Sequence, residues 1–424
     1  MEEKVSVLLI STGRFHEELA ASLEENRDYI KEIFISGDES LIPEEIKELK
    51  VPLTYLDVKT PNKAVIRNKF LELSSSELVL FLSSECSLED STIEELLADM
   101  EDFGADIVYP NLIVQLGEEE KIKNFDDFYG KEVEIVKSLS IEKFIPEWGV
   151  LAKKSKIESL NRFDEKFADY EFYEFLYRNL RSIKLKLSEF SYVTHSIGDT
   201  FIDTSYRSWV IRNIVLKNYD WKSEIFSFLS WEEKPEIAQA TALTIVGKTL
   251  SDYYDYFNAS DFFRKALLTF HNQATLQELI KTYINMGLFK EAKDLISDLQ
   301  GMSKEDQENI GFYADKIKSL VEELEKGIEE GKVFEVFTAI QDVAPIYDGA
   351  PIHNLLGVIN WIQGNKEEAY KFFFKAVTMN PLNNDYLYNF AEVAKELGKE
   401  EEVKELIERL IDIETGNSSG KIKR

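Results

Sequence analysis

Residues 78–85 read Leu-Val-Leu-Phe-Leu-Ser-Ser-Glu, an apolar run that ends abruptly in polar side chains. An unbroken apolar run of this length predicts a strand that is buried on both faces of a sheet. A second run at 5–10 has the same character, and apolar residues at helical spacing follow it from Phe15 to Ile30. This alternation predicts an α/β fold with a mostly parallel sheet, in which ligands lie beyond the carboxyl ends of the strands.

The same alternation continues to about residue 200. Further strands are predicted at 33–35, 53–58, 107–109 and 112–116, and helices at 64–73 and 93–103. Ser91 and Glu94 have the spacing of a capping box, so we expect their side chains to cap the start of the second of these helices. Gly104 is expected to end that helix.

From about residue 206 the pattern changes to helices of 10 to 15 residues with short breaks. Gly357, Ala369, Phe373 and Ala376 are separated by 12, 4 and 3 residues, and the same intervals separate Gly247, Ala259, Phe263 and Ala266. Small residues at such intervals allow two helices to cross closely. Gly364 and Gly398 lie 34 residues apart, which indicates a repeat period of that length. The pattern resembles the tetratricopeptide repeat, most clearly at 350–383, although an irregular helical bundle would share part of it.

Stacked repeats of this kind form an all-α solenoid with a concave face that suits an extended peptide or a partner helix. The sequence therefore predicts four segments. They are an α/β domain at 1–204, a helical linker at 205–235, tetratricopeptide-like repeats at 236–414 and a flexible tail at 415–424.

The charge balance argues against several classes of partner. Lys and Arg total 50 against 79 Asp and Glu, which gives a formal charge of −29. Such a field repels nucleic-acid phosphate and anionic membrane surfaces. The single cysteine, Cys86, excludes an intrachain disulfide and favours a reducing, cytoplasmic location. No apolar run approaches the length of about 20 residues that a membrane span needs.

Seven segments in the first half of the chain resemble, in order, the motifs of family-two nucleotide-sugar glycosyltransferases. Ala-Val-Ile-Arg-Asn at 64–68 resembles the family's Ala-x-x-Arg-Asn helix, and 78–85 resembles the strand that ends in Asp-x-Asp. The other segments are 5–12, 32–40, 161–167, 171–178 and 192–198. The resemblance implies a Rossmann-related fold of the GT-A type.

The resemblance also implies roles for particular residues. A divalent cation, Mn²⁺ or Mg²⁺, would neutralise the leaving diphosphate and would be held by Glu85 and His195. Glu171 or Glu174 would take the proton of the acceptor hydroxyl. Trp148 is a candidate platform on the acceptor side. The residues expected to contact the nucleotide-sugar donor are Thr12, Asp38, Arg67, Asn68 and Ser83.

Several positions depart from the family pattern. Ser83 replaces the first Asp of the metal motif, Gly37 replaces the first Asp of the pair after the second strand, and Phe172 stands where the usual base is an Asp. Ser11 replaces a Pro, and Gly13 and Arg14 replace Tyr and Asn. These departures leave open weaker or metal-independent binding.

Each site residue also has a structural alternative. Glu85 and His195 would be ordinary loop residues, and Asp38 would cap a turn. Arg67 would pair with surface acids, and Asn68 would bond along its helix. Glu171 and Glu174 would form an acidic surface, and Trp148 would be a core residue. A buried, unreactive side chain is expected for Cys86.

The leading interpretation is an inverting glycosyltransferase whose helical repeats present a protein acceptor, such as flagellin or another surface protein. The alternative is a glycosyltransferase-like pseudoenzyme that acts as a scaffold through its repeats.

Overall fold

The structure is a computed structural model, and it describes residues 4–58, 60–116, 119–123, 147–167, 170–196, 203–296 and 304–411. The chain forms two compact units, Met1–Ser227 and Phe228–Arg424. Residues 205–227, which the sequence assigns to a linker, belong to the first unit. The predicted tail at 415–424 lies outside the described residues.

The first unit is built on one sheet of nine strands, in the order β3-β2-β1-β4-β8-β6-β9-β5, with β7 paired to β6. The strands are β1 Val5–Ile10, β2 Ile30–Ser36, β3 Leu53–Leu56, β4 Leu78–Ser83, β5 Cys86–Leu88, β6 Ile107–Leu116, β7 Glu119–Lys123, β8 Val150–Lys153 and β9 Leu185–Ser196.

Helices join most of these strands. They are α1 Leu19–Glu25, α2 Glu44–Lys47, α3 Lys63–Leu73, α4 Thr92–Phe103, α5 Lys154–Ser159, α6 Glu171–Asn179, α7 Ser205–Val210 and α8 Leu216–Asn218. Two π-helical turns, Ile211–Val215 and Trp221–Ile225, interrupt the last part of the unit.

The predicted α/β fold is confirmed, and the sheet is mixed. β1 pairs in parallel with β2 and β4, and β2 pairs in parallel with β3. All six residues of β1 and of β4 are buried, as their apolar character predicts. Because parallel strands end at the same edge, the segments that follow β1, β2 and β4 meet there. β8 runs antiparallel to β4, so the residues that precede β8 reach the same edge.

Two local predictions were wrong. The strands predicted at 107–109 and 112–116 are one strand, β6, whose register shifts between Tyr109 and Asn111. The predicted capping box does not form, because Ser91 has a φ of 61° and makes no side-chain cap. The Thr92 hydroxyl donates instead to the carbonyl of Tyr192 at 2.8 Å. Gly104 ends α4 in the left-handed conformation, as predicted.

The second unit consists of ten helices among the described residues. They are α9 Pro235–Asp252, α10 Tyr256–Thr269, α11 Gln273–Asn285, α12 Phe289–Ile296, α13 Lys304–Glu329, α14 Val333–Val343, α15 Ala350–Ile362, α16 Lys366–Met379, α17 Asn384–Leu397 and α18 Glu400–Ile411.

The small residues of the repeat pattern lie at helix crossings. A Cβ at Gly357 would lie 2.5 Å from the Phe373 ring, and a Cβ at Gly247 would lie 2.6 Å from the Phe263 ring. The two glycines therefore let α15 approach α16, and α9 approach α10, in the same way. The repeated intervals in the sequence correspond to repeated contacts in the structure.

The second unit also has contacts that nearest-neighbour stacking does not predict. Asn258 Nδ2 on α10 donates to the Leu410 carbonyl on α18 at 2.8 Å, across 152 residues of sequence. The Asn380 side chain donates to the Met286 carbonyl at 3.0 Å. The beginning of the array, at α10 and at the end of α11, therefore contacts its last part, at α18 and at the end of α16. The array thus folds back on itself.

Within the described ranges, no helix has the length and apolar character needed to cross a membrane.

Candidate functional site

Hydrogen bonds tie the carboxyl end of β1 to that of β4. The Thr12 amide donates to Ser84 Oγ at 3.0 Å, and Ser84 Oγ donates to the Arg14 carbonyl at 2.5 Å. The Ser83 side chain is buried and accepts from the Glu85 amide at 3.2 Å. Thr12 and Ser83, two predicted donor contacts, therefore lie at the same edge of the sheet. Their contact with a donor stays a prediction.

The turn after β2 explains one departure from the family pattern. Gly37 has a φ of +117°, and a Cβ there would lie 2.7 Å from the Cβ of Ser11, so an Asp at position 37 would strain the backbone and clash. Asp38 is exposed and accepts from the amide and hydroxyl of Ser40 at 2.9 and 2.7 Å. These hydrogen bonds lower the pKa of Asp38. Asp38 thus caps a turn, as its structural alternative proposed.

Glu85 and His195, the predicted metal ligands, lie on neighbouring segments. β5 and β9 pair antiparallel with Cys86 opposite His195, and the Ser196 amide donates to the Glu85 carbonyl at 3.0 Å. Directly opposed residues share a face of a sheet and successive residues alternate. His195 therefore shares its face with Cys86, and Glu85 lies in the turn that precedes β5.

These residues do not fit a metal site that the protein alone would hold. In the part of the chain that the structure describes, no cluster of three His, Cys, Asp or Glu side chains is placed to bind a cation. Oxygen-ligated Mn²⁺ or Mg²⁺ takes about six ligands, and the candidates here are one carboxylate and one imidazole. We therefore derive no catalytic step through a metal.

His16 is a residue at this edge that the sequence analysis missed. Its Nδ1 accepts from the Glu18 amide at 3.2 Å, so Nε2 carries the proton and donates to Gln115 Oε1 at 3.1 Å. The same oxygen of Gln115 accepts from the Ser196 hydroxyl at 2.8 Å. This network joins the segment after β1 to the ends of β6 and β9. No spacing in the sequence indicated it, because 99 residues separate His16 from Gln115.

Arg67, on α3, is fully buried at the centre of a charged cluster. Its guanidinium forms an ion pair with Glu171 on α6, and Glu147 Oε2 lies 3.4 Å from its Nη2. The centroids of four aromatic rings lie 5.0 to 5.7 Å from its Cζ atom; they belong to Phe81, Trp148, Phe163 and Phe172. Aromatic faces attract a planar cation, so the rings and carboxylates together stabilise this buried charge.

Glu171, a predicted base, has no exposed surface. Glu171 begins α6 and is paired with Arg67. It is therefore not part of an acidic surface, which was the structural alternative for this residue. Phe172, which stands at the family's Asp position, packs its ring 5.6 Å from Phe81 and 5.4 Å from Phe163. An Asp at position 172 would place a carboxylate among aromatic rings. The replacement of the family's Asp by Phe172 therefore fits the packing of the core.

Glu174, the second predicted base, is also buried, and both of its oxygens accept from Arg178, at 2.6 and 3.1 Å. Burial raises the pKa of Glu174, against the lowering effect of the Arg178 charge. Arg178 also donates to the carbonyls of Leu160 and Arg162 at 3.0 Å. Glu174 therefore holds Arg178 against the turn that follows α5, and with 3% of its side chain exposed it has little access to an incoming hydroxyl.

Asn68 has a comparable structural contact. Its Nδ2 donates to the Phe163 carbonyl at 2.9 Å, and its Oδ1 accepts from the Phe163 amide at 3.2 Å. The side chain thus joins α3 to the 161–165 segment. The structural alternative was a hydrogen bond along the helix of Asn68, and the observed bonds reach another segment instead. A contact of Asn68 with the donor stays a prediction.

Trp148 and its neighbour Glu147 complete the cluster. The Trp148 ring is 6% exposed and lies 5.1 Å from Lys63 Nζ, so it has little open surface on which a sugar would stack. Glu147 accepts from Lys63 at 2.9 Å and keeps 15% of its side chain exposed. Burial tends to raise the pKa of Glu147, but the charges of Lys63 and Arg67 together lower it. No spacing in the sequence indicated Glu147, because its partners lie about 80 residues away.

The comparisons with known proteins agree with this fold. Residues 13–159 match the family model of glycosyl transferase family 2, and residues 350–381 match a tetratricopeptide repeat. The first unit therefore carries a family-two glycosyltransferase domain, and both resemblances predicted from the sequence are confirmed. A search of curated proteins gave no match.

Solved structures of TarS from S. aureus are similar at low identity. The 1–349 form in complex with UDP-GlcNAc is 18% identical, with a TM-score of 0.42, over 69% of this chain and 88% of that one. The 1–349 form in complex with UDP is 14% identical, with a TM-score of 0.39, over 63% and 89%. The longer TarS structure is 14% identical, with a TM-score of 0.40, over 65% and 54%.

Proposed function

We propose that the chain transfers a sugar, with inversion, from a nucleotide-diphosphate donor to a protein acceptor. The supporting observation is the family-two domain match at 13–159 together with the edge geometry. The segments after β1, β2 and β4 end at one edge of the sheet, where ligands of α/β folds bind. Thr12, Ser83 and Glu85 lie at this edge and are the residues we assign to donor binding, whereas Asp38 is held in its turn by Ser40.

The charge of the leaving diphosphate needs a counter-charge. A divalent cation that arrived with the donor would supply part of that charge, and Glu85 or His195 would be the residues that hold it. Lys63 and Arg67 are cationic side chains beside Glu147, just before β8. Donor binding measured with Mn²⁺, with Mg²⁺ and with a chelator decides the dependence, and an unchanged affinity in the chelator would remove the cation from the proposal.

The acceptor is proposed to be a protein because the second unit carries a tetratricopeptide repeat, a module that commonly binds peptides. A cleft of about 560 Å³ lies between α10, α11 and the α16–α17 connection, and Phe257, Tyr283 and Leu382 line it with polar neighbours. A cytoplasmic location is part of the same proposal, because an acceptor would meet a nucleotide-sugar there.

The test is a transfer assay in which candidate acceptor proteins are co-expressed with the full chain. The proposal expects an acceptor whose intact mass increases by one or more sugar residues. Co-expression with a Thr12→Val, Glu85→Gln double variant is the matched control, because it alters the donor edge and leaves the helical unit unchanged. Equal modification by the wild-type chain and the variant would contradict the donor assignment.

A scaffold without activity is the second candidate, and specific observations favour it. Ser83, Gly37 and Phe172 replace acidic residues of the family pattern, and Glu174 is occupied by Arg178. A scaffold binds a partner through the helical unit whether or not a donor is present. Capture of an acceptor by the full chain, without a mass increase under any donor, would favour the scaffold over the enzyme.

A further inference from the structure

The charged cluster around Arg67 contains two carboxylates that differ in access to solvent. The Glu171 side chain is fully buried, whereas the Glu147 side chain is 15% exposed. Glu174, the nearby third carboxylate, is 3% exposed and accepts from Arg178 with both oxygens. A group that takes a proton from an incoming hydroxyl must come within hydrogen-bond reach of it. Glu147 is the member of this set that meets that condition.

The position of Glu147 in the fold supports the same assignment. The Gly149 amide donates to the Phe81 carbonyl at 2.7 Å, so the residues just before β8 lie beside the carboxyl half of β4. Burial raises the pKa of the Cys86 thiol and of the Tyr109 hydroxyl, and the charge of Glu147 adds to both shifts. Glu147, two residues before Gly149, therefore lies beside the strand end to which the donor is assigned.

The neighbours of Glu147 keep it ionised and oriented. Lys63 Nζ lies 2.9 Å from Oε1, and the Arg67 guanidinium lies 3.4 Å from Oε2. Arg67 is itself fixed by Glu171 and four aromatic rings. Among the described residues, the ionisable groups that pair with Glu147 are Lys63 and Arg67 on α3. Its charge also affects Cys86 on β5 and Tyr109 on β6, and Glu171 on α6 pairs with Arg67.

We propose that Glu147 is the base of the sugar transfer and that Arg67 is a positioning residue that holds it. This inference rests on the proposed function. As the acceptor oxygen bonds to the anomeric carbon, a Glu147 oxygen takes the hydroxyl proton, and the bond from the anomeric carbon to the diphosphate oxygen breaks with its electron pair on the diphosphate. Water can serve as the acceptor in a slow hydrolysis of the donor.

The experiment measures donor hydrolysis by the full chain. The donor is the compound among UDP-, GDP- and dTDP-linked glucose and N-acetylglucosamine that raises the melting temperature most. Glu147→Gln is expected to lower kcat by about 10²–10⁴-fold with the melting shift by donor unchanged, because general-base assistance has that magnitude. Sodium formate, a small carboxylate, should restore part of the rate of Glu147→Ala, which a purely structural role would not allow.

Glu72→Gln is the matched control, because Glu72 lies on α3, the helix that carries Lys63 and Arg67, and pairs with two cations, Lys69 and Arg162, at the surface. Its hydrolysis rate should equal that of the wild type. A Glu147→Gln variant as fast as the wild type would overturn the assignment, and so would a slow Glu147→Ala variant that formate does not restore. A wild-type chain that hydrolyses none of these donors would overturn the proposed function itself, and the base assignment with it.

Discussion

The Gly357–Phe373 crossing in the second unit and the Arg67 cluster in the first unit are both close contacts, but they arise differently from the sequence. The glycine and the phenylalanine are 16 residues apart, and Gly247 and Phe263 repeat the same interval. Arg67 meets Glu147 and Glu171 across 80 and 104 residues. A repeated local contact leaves a period in the sequence, whereas a cluster built once from distant segments leaves none.

Removal of the central charge of the Arg67 cluster should have the largest effect on stability. In Arg67→Met, Glu171 keeps its burial and loses its cation, so the free energy of unfolding of the first unit should fall by about 3–5 kcal/mol. Urea unfolding followed by tryptophan fluorescence measures it. Adding Glu171→Gln to this variant should recover part of the loss.

Arg162→Met is the control for this comparison, because Arg162 pairs with Glu72 and Glu158 at the surface. Its cost should be about 0–1 kcal/mol. Equal losses for the Arg67 and Arg162 variants would show that the buried cluster has no special role in stability.

A methyl group at a helix crossing should have the next largest effect. Gly357→Ala would place a Cβ 2.5 Å from the Phe373 ring, and overpacking of this kind costs about 1–3 kcal/mol. Gly311 is also in a helix, but a Cβ there would meet its nearest atom at 3.9 Å. Gly311→Ala should instead stabilise the second unit by about 0.5–1 kcal/mol, because alanine favours a helix. Thermal unfolding of both variants would show opposite signs, and a shared sign would contradict the crossing geometry.

A partly exposed ion pair in the second unit should show the smallest effect. Asp348 Oδ1 lies 2.6 Å from His353 Nε2 and Oδ2 lies 3.4 Å from Lys375 Nζ. Burial tends to raise the pKa of Asp348, but the hydrogen bond from His353 and these two charges lower it to about 2. A lowered carboxyl pKa stabilises the fold above the unfolded pKa of about 4, and this contribution is lost as pH falls towards 2.

Asp348→Asn isolates this contribution. Because the Asp348 side chain is 45% exposed, the variant should lose less than about 1 kcal/mol at pH 7. The difference in melting temperature between wild type and variant should shrink between pH 4 and pH 2. A difference that stays constant over this range would mean that the Asp348 charge is not the cause.

The comparison also explains which features the sequence predicted. The buried strands β1 and β4, the Gly104 helix end and the two helix crossings depend on residues close in the chain, and all were predicted correctly. The capping box at Ser91 failed because Ser91 adopts a left-handed backbone with a φ of 61°. The Thr92 hydroxyl lies instead within bonding distance of the Glu89 and Tyr192 carbonyls, at 2.7 and 2.8 Å.

The candidate site was predicted less completely. The family resemblance indicated Arg67 and Glu171 but not their burial as a pair, and it gave no role to Glu147 or His16. These properties depend on how α3, α6 and the segment before β8 pack together. No interval in the sequence predicts that packing. The backbone conformation at Gly37, in contrast, explains why an expected Asp is absent there.

The central claim, that the first unit binds a nucleotide-diphosphate donor at the edge formed by β1, β2 and β4, is tested most directly by thermal unfolding of the full chain with UDP, GDP and dTDP and with their sugar conjugates. At a ligand concentration 100 times Kd, one of them should stabilise the fold by about 2.7 kcal/mol, with a corresponding rise in Tm. The Thr12→Val, Glu85→Gln double variant should show a smaller rise. An unchanged Tm with every nucleotide and every conjugate, with and without Mn²⁺, would contradict the claim.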